Sequence, residues 1–156
     1  MTIQDLKKLE QSGNYVFHGS SNKIEKLEPR QAMIFDRKRK VSVPDGDPCV
    51  AATPSLDIAI FRSLISAQIA KAKKIFPHHS QFGMNNGVPY FKVTKNSLDS
   101  ALMPGSRGFV HVLDSGLFEK RNGMESRAYV DIVPKFIVEV KGKDLPKNIA
   151  IVEYEN

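Results

Sequence analysis

Five short apolar runs in the second half of the chain constrain its fold more than any other feature. They lie at 88–93, 108–113, 128–133, 136–140 and 149–154. Each is rich in β-branched or aromatic residues and is bounded by Gly, Pro, Asn or Asp, as is typical of strands. The two predicted helices lie in the first half and do not alternate with these strands. The pattern therefore favours an α+β fold with antiparallel or mixed sheets over a doubly wound parallel sheet.

The first half is predicted to contain two helices separated by strands and a long polar segment. Apolar residues at helical spacing predict one helix between the cap Thr2 and the stop Gly13. A longer apolar stripe predicts the second helix between the cap Ser55 and the stop Pro77. Strands are predicted at 15–18 and at 49–52. The remaining polar stretch before Cys49 is expected to have little regular structure.

Charge and length narrow the classes of protein that this chain can represent. Its 156 residues fit a single domain, 1–156. Lys and Arg number 23 against 17 Asp and Glu, and the net charge of +6 favours anionic partners. An unbroken basic run is formed by Arg37, Lys38, Arg39 and Lys40. This run predicts either a solvated loop or contact with an anionic macromolecule such as nucleic acid.

Several site classes are not expected from the sequence. It has no Gly-rich phosphate loop, no dinucleotide-binding glycines and no paired CxxC motif. His78 and His79 have no further ligands at metal-binding spacing, so no metal site is predicted. The single Cys49 lies in an apolar run and is typical of a small core residue. No signal peptide or membrane-spanning run is found, and a cytoplasmic location with no membrane partner is expected.

His18 is the strongest candidate for a functional side chain. It ends a predicted strand, and Gly19 follows at once, so the backbone there can approach a ligand closely. A structural alternative is that a neighbouring carbonyl satisfies the imidazole and that Gly19 serves a turn.

The segment Phe17-His18-Gly19-Ser20 resembles the His-Gly-Ser/Thr strand end of ADP-ribosyltransferases of the diphtheria toxin and poly(ADP-ribose) polymerase type. In that family the His holds a ribose hydroxyl of NAD and the Gly backbone pairs with the nicotinamide carboxamide. The resemblance therefore implies that His18 is catalytic and that Gly19 and Ser20 contact NAD.

The resemblance continues along the chain, where the spacing of the elements matches the family better than the residue identities do. Residues 50–53 and 58–61 reproduce the family's second strand and the helix after it. This register implies that Thr53 lines the pocket and that Phe61, where the family has a Tyr, offers an aromatic face. Val50 stands where the family has a Tyr that stacks on nicotinamide.

A late carboxylate completes the resemblance. The family has a Glu at the start of a late strand, and 124–132 has this form with Glu125 before the strand. Glu125 is thereby implied as the catalytic carboxylate, which bonds a ribose hydroxyl and stabilises positive charge as the glycosidic bond breaks. An exposed Glu in a turn is the alternative. Arg30 is a candidate clamp for the NAD pyrophosphate, or an ordinary surface Arg.

The resemblance implies a split fold in which mostly antiparallel sheets surround an NAD cleft. The implied function is transfer of ADP-ribose from NAD, as substrate, to an unknown acceptor. A degenerate, non-catalytic domain of the same fold that binds a nucleotide or nucleic acid is the alternative, and the Tyr missing at Val50 supports it. An RNA 2′-phosphotransferase-like enzyme is related, with Arg30 and Arg62 as its basic residues. All these hypotheses require His18, Gly19 and Glu125 to converge on one cleft.

Overall fold

The computed structural model of the protein describes residues 1–153, so Tyr154, the last residue of one predicted strand, lies outside the described residues. Its helices are α1 (Ile3–Ser12), α2 (Leu56–Leu64), α3 (Ala67–Lys73) and α4 (Lys95–Leu102). Its strands are β1 (Tyr15–Ser20), β2 (Met33–Asp36), β3 (Val41–Pro44), β4 (Val50–Ala52), β5 (Ser80–Asn85), β6 (Val88–Thr94), β7 (Arg107–Asp114), β8 (Glu119–Lys120), β9 (Ser126–Ala128), β10 (Phe136–Lys141) and β11 (Ile149–Val152).

Within residues 1–153 the strands form three three-stranded sheets and one hairpin. The sheets have the orders β1-β7-β10, β4-β9-β8 and β11-β6-β5, and the hairpin is β2-β3. Within residues 1–153, β11 and β6 form the one parallel strand pair. The prediction of an α+β fold with mostly antiparallel sheets is therefore confirmed.

Helix α2 packs unusually close to the sheet of β1 and β7, because glycines line the strands beneath it. A Cβ atom on Gly19 would lie 1.9 Å from the carbonyl oxygen of Ala59. One on Gly108 would lie 2.5 Å from the carbonyl oxygen of Ser63. Both contacts are with the helix backbone, so only glycine permits this approach. The close packing brings α2, with Arg62, to the end of β1.

The core has two parts, one on each side of the β1–β7 sheet. Phe17 of β1 belongs to the larger part, together with Phe61, Phe91 and most of α2. Val16 belongs to the smaller part. Neighbouring residues of β1 thus point to opposite faces, as alternation in a strand requires.

The predicted helix between Ser55 and Pro77 is wrong in its length, because the chain forms two helices there. Ile65 ends α2 in an extended conformation, and the Ser66 side chain accepts a hydrogen bond from the Ile69 N–H to cap α3. Three helices, α1, α2 and α3, therefore lie in the first half instead of the expected two.

Several further elements differ from the sequence-based expectations. The polar stretch 19–47 contains the β2–β3 hairpin, although little regular structure was expected. Of the predicted strand 128–133 only Ala128 lies in a strand, and Ile132 forms an isolated bridge to Leu27. Strand β5 and helix α4 are not predicted from the sequence. Among residues 1–153, every helix is too short or too polar to cross a bilayer.

Candidate functional site

The candidate site is a notch where strands β1 and β4 separate. The two strands are joined at Phe17 and Thr53, whose backbones exchange hydrogen bonds of 2.7 and 2.8 Å. Toward Gly19 the ladder stops, and the carbonyl of Ala51 instead accepts a hydrogen bond from His18 Nδ1 at 2.8 Å. The side chain of His18, and not the backbone of Gly19, therefore bonds to Ala51, so the backbone of Gly19 has no partner on β4 within the described chain.

The backbone of Gly19 faces this notch. Phe17 directs its N–H and C=O toward Thr53, and antiparallel strands alternate, so Gly19 directs its own groups to the same side. In the described part of the chain, neither group of Gly19 bonds to β4. Gly19 therefore offers one donor and one acceptor, the pair that a primary amide recognises. Its missing side chain serves the packing of α2 and not a turn.

His18 is held as a neutral acceptor. Because the Ala51 carbonyl can only accept, Nδ1 carries the proton and Nε2 has a free lone pair. No hydrogen-bond partner of Nε2 is found within residues 1–153. Burial lowers the pKa of His18 to about 4, although the bond to Ala51 opposes this shift. The structural alternative, a carbonyl that satisfies the ring, is thus correct for Nδ1 and leaves Nε2 available to a hydroxyl.

His111, which lies opposite His18 on the neighbouring strand β7, fixes the position of His18. Its ring is fully buried and meets the His18 ring edge-on, with centroids 5.7 Å apart. Nδ1 of His111 donates to the His18 carbonyl at 3.0 Å, and Nε2 accepts from the Ile24 N–H at 2.9 Å. Both nitrogens are therefore occupied, and burial lowers the pKa of this ring as well. His111 is a positioning residue.

Two arginines add positive charge around His18. After burial and the neighbouring His111, Arg62 and Arg30 are the further causes that lower the pKa of His18. Arg30 is placed by a backbone bridge to Cys49, with two hydrogen bonds of 2.9 Å. Arg62 lies 5.4 Å from the centre of the Phe82 ring. Desolvation lowers the pKa of its guanidinium, and Glu125 raises it.

These arginines are suited to an anion. Neither Arg30 nor Arg62 forms an ion pair with a carboxylate among residues 1–153. Unpaired guanidinium groups bind phosphates strongly, and two N–H groups of one guanidinium can donate at once. Among the described residues, the notch therefore combines an unoccupied imidazole nitrogen, an unpaired backbone N–H and C=O, and cationic side chains.

Glu125 lies immediately before β9, the strand that pairs with β4. The register pairs Ala52 with Ser126, so the next position places Glu125 near Thr53. Its Oε1 accepts from Arg127 Nε at 2.8 Å, and its Oε2 lies 3.6 Å from Arg121 Nη1. Glu125 is half-buried within a charged cluster and is not an exposed turn residue.

Asp45 completes this cluster from the other side. It forms two 2.9 Å hydrogen bonds to Arg121 and one of 3.0 Å to Arg127. The side chain of Arg127 is only 7% exposed, and these acidic partners compensate its buried charge. The sequence analysis missed this cluster, in which Arg127 lies between the small residues Ser126 and Ala128 of β9.

The predicted site residues are therefore brought together only in part. His18, Gly19 and Thr53 meet at the notch, with Arg30 nearby. Glu125 is one strand further on, because β4 lies between β1 and β9, and the two outer backbones are about 10 Å apart at ordinary strand spacing. Arg62 lies within electrostatic reach of both His18 and Glu125.

Three predicted contacts are limited by burial or by local bonding. Phe61 is 1% exposed, and the centre of its ring lies 4.9 Å from that of Phe91, so it is a core residue. The expectation that Phe61 offers an aromatic face to a ligand is therefore wrong. Thr53 is 6% exposed and its hydroxyl accepts from the Ser55 N–H. Ser20 ends β1, and its hydroxyl accepts from the Asn22 N–H at 3.1 Å.

A recess lies beside the charged cluster, and His18 is not part of its lining. Its volume is about 260 Å³, and its lining includes Asp45, Arg121, Arg127 and Tyr129. No group of three or more metal-binding side chains occurs within residues 1–153. Burial raises the pKa of the Cys49 thiol, which is unsuited to a nucleophile.

Comparisons with known proteins returned no match. This holds for protein-family models, for curated proteins and for solved structures. The functional argument therefore rests on the residues around the notch.

Proposed function

We propose that this protein is an NAD-dependent ADP-ribosyltransferase-like enzyme that transfers ADP-ribose to an acceptor. One observation carries the proposal. A neutral His18 with a free Nε2 lies next to the unpaired backbone edge of Gly19. Together they match a hydroxyl donor and a primary amide, which nicotinamide riboside carries close together.

Each group in the notch has a defined part in the proposed complex. The Gly19 N–H donates to the carboxamide oxygen, and its C=O accepts from the carboxamide NH₂. A ribose hydroxyl donates to His18 Nε2. Arg30 and Arg62 bind the pyrophosphate, whose charge compensates their unpaired guanidinium groups.

Glu125 acts on the ribose side of the reaction. In the transfer, the glycosidic C–N bond breaks and nicotinamide leaves with its electron pair. The acceptor then bonds to the anomeric carbon and loses a proton. Oε1 of Glu125 is held by Arg127, whereas Oε2 has the longer 3.6 Å contact with Arg121. Oε2 is thus the oxygen available to a ribose hydroxyl and to the developing positive charge.

A second candidate is an RNA 2′-phosphotransferase-like reaction, which also uses NAD. The specific observation in its favour is that Arg30 and Arg62 flank His18 without carboxylate partners. Two such cations suit a phosphate monoester as well as a pyrophosphate. Glu125, in turn, is already paired with arginines.

The test is nicotinamide release from NAD, measured by chromatography, with and without candidate acceptors. We expect His18→Gln and Glu125→Gln to lower the rate at least about 100-fold. His79→Gln and Glu139→Gln are matched controls at exposed positions and should leave it unchanged.

Three results would distinguish the hypotheses. Release that depends on a 2′-phosphorylated RNA selects the phosphotransferase. NAD binding without release, unchanged in Glu125→Gln, selects the non-catalytic domain. Release unaffected by both site variants would contradict the assignment of the notch.

A further inference from the structure

The β2–β3 hairpin is an isolated ribbon with exposed apolar side chains. Its strands pair with each other and with no other strand in residues 1–153. Met33, Ile34 and Phe35 are 54%, 52% and 58% exposed, and Val41 on the partner strand is 47% exposed. A two-stranded ribbon is marginally stable alone, and large exposed apolar surface is typical of an interaction site.

The register distributes these apolar residues over both faces of the hairpin. Phe35 pairs with Ser42 and Met33 with Pro44, so they share one face. Ile34 and Val41 lie on the other face by alternation. Neither face rests on the core, so both remain available to a partner.

The tip of the hairpin is strongly cationic. Four basic residues, 37–40, form the turn, and Lys40 adopts a left-handed conformation with φ of 55°. Asp36 accepts from the N–H groups of Lys38 and Arg39 and pairs with the Arg39 side chain at 2.7 Å. Within the described chain, Arg37, Lys38 and Lys40 have no carboxylate partner.

We propose that the hairpin binds single-stranded nucleic acid. The three unpaired cations of the tip contact successive phosphates, and bases stack on Phe35 and the neighbouring apolar side chains of the stem. Base faces are accessible in single strands but are covered in a duplex. This binding surface goes beyond the proposed function and does not depend on NAD.

The order of charged and apolar residues along the hairpin disfavours insertion of the hairpin into a membrane. The cations lie at the outer end, and the apolar residues lie nearer the body. Insertion would carry the charged tip into the hydrocarbon before any apolar side chain reached it, which is costly. A nucleic-acid strand can meet both parts side by side.

The root of the hairpin lies beside the charged cluster that holds Glu125. The Asp45 N–H donates to the Ala32 carbonyl at 2.8 Å to close the ribbon. The Asp45 side chain holds Arg127, which holds Glu125. A strand bound along the hairpin would therefore run toward the same side of the sheet as Glu125.

The experiment measures fluorescence anisotropy of a labelled 12-nucleotide oligo-uridine with the full chain and no NAD. One variant replaces the unpaired tip cations, Arg37→Ser, Lys38→Ser and Lys40→Ser. The matched control makes the same change of charge at the end of α3, in Lys71→Ser, Lys73→Ser and Lys74→Ser. Loss of three phosphate contacts should reduce the slope of log affinity against log salt by about 2. The control should leave it unchanged.

A second variant tests stacking without changing the charge. Phe35→Ala should weaken binding at least about 5-fold, in line with measured base stacking on aromatic residues. Leu117→Ala, at an equally exposed apolar residue, is its control and should have no effect.

Four results would overturn the proposal. They are equal weakening by the tip and α3 variants, no loss of affinity in Phe35→Ala, a duplex bound as tightly as the single strand, and binding to phosphatidylserine vesicles with none to the oligonucleotide. Because NAD is absent, failure here leaves the proposed reaction standing, and failure of nicotinamide release leaves this surface standing.

Discussion

Replacing Gly19 by alanine is expected to destabilise the protein through α2. The added Cβ would lie 1.9 Å from the Ala59 carbonyl oxygen and 3.0 Å from the Ser63 nitrogen. Cβ atoms essentially never approach a heavy atom within 3.0 Å, so helix and strand must separate by about 1 Å. The atoms met belong to the helix backbone and have no rotamer to escape into.

The magnitude follows from how firmly α2 is held. Ala59 and its neighbours Ile60 and Phe61 are at most 1% exposed, so a shift of the helix disturbs the centre of the larger core. Overpacking of this kind costs about 1 to 3 kcal/mol, and contact with backbone favours the upper end. With an m-value of about 2 kcal/mol/M, the urea midpoint should fall by about 1.5 M.

Urea unfolding followed by circular dichroism measures this loss. Gly123→Ala is the matched control, because its added Cβ meets nothing within 4 Å. It should stay within about 0.5 kcal/mol of the wild type. Equal stability of the Gly19→Ala and Gly123→Ala variants would refute the close packing of α2 on β1.

Three further expectations concern stability. Asp45→Asn should lower the free energy of unfolding by about 1 to 3 kcal/mol, because it weakens the pairing of the buried Arg127. Asp99→Asn, in the exposed pair with Lys95, is the control and should cost under about 0.5 kcal/mol. Equal losses in urea unfolding would contradict the role of the cluster. The folded-state pKa of His18 is about 4, below the unfolded value of 6.5, so its neutral form contributes stability above pH 6.5 that is lost as the pH falls toward 4. The wild type should lose up to about 3 kcal/mol more than His18→Gln between pH 7 and 4, and parallel pH profiles would be evidence against the buried neutral ring. Ser66→Ala should cost about 1 kcal/mol in urea unfolding by removing the cap of α3, and no loss would show that the cap is unimportant.

The strands of the main sheet could be predicted from sequence, whereas the break in the second helix could not. Strands β1, β7 and β10 coincide with apolar runs, since burial dictates their residue types. The apolar stripe past Ser55 continues through both α2 and α3. Periodicity does not detect that Ser66 caps a new helix, because the stripe has the same spacing on both sides of the break.

The candidate site shows the same division between local and long-range information. The position of His18 and Gly19 at the end of a strand follows from neighbouring residues and could be predicted, whereas the packing of Gly19 against α2 could not. The pairing of Asp45 with Arg127 joins positions 82 residues apart, which no local pattern encodes. Phe61 was misjudged because α2 is buried around nearly its whole circumference, so motif register does not distinguish a core-facing ring from a ligand-facing one.

The buried ring of His111 joins two stretches of backbone on either side of His18. One nitrogen donates to the carbonyl of His18, and the other accepts from the N–H of Ile24, on the segment that leads to Arg30. Removal of this one imidazole would therefore leave a buried carbonyl and a buried N–H without partners at the same time, so the order of both stretches depends on a side chain that itself touches no ligand.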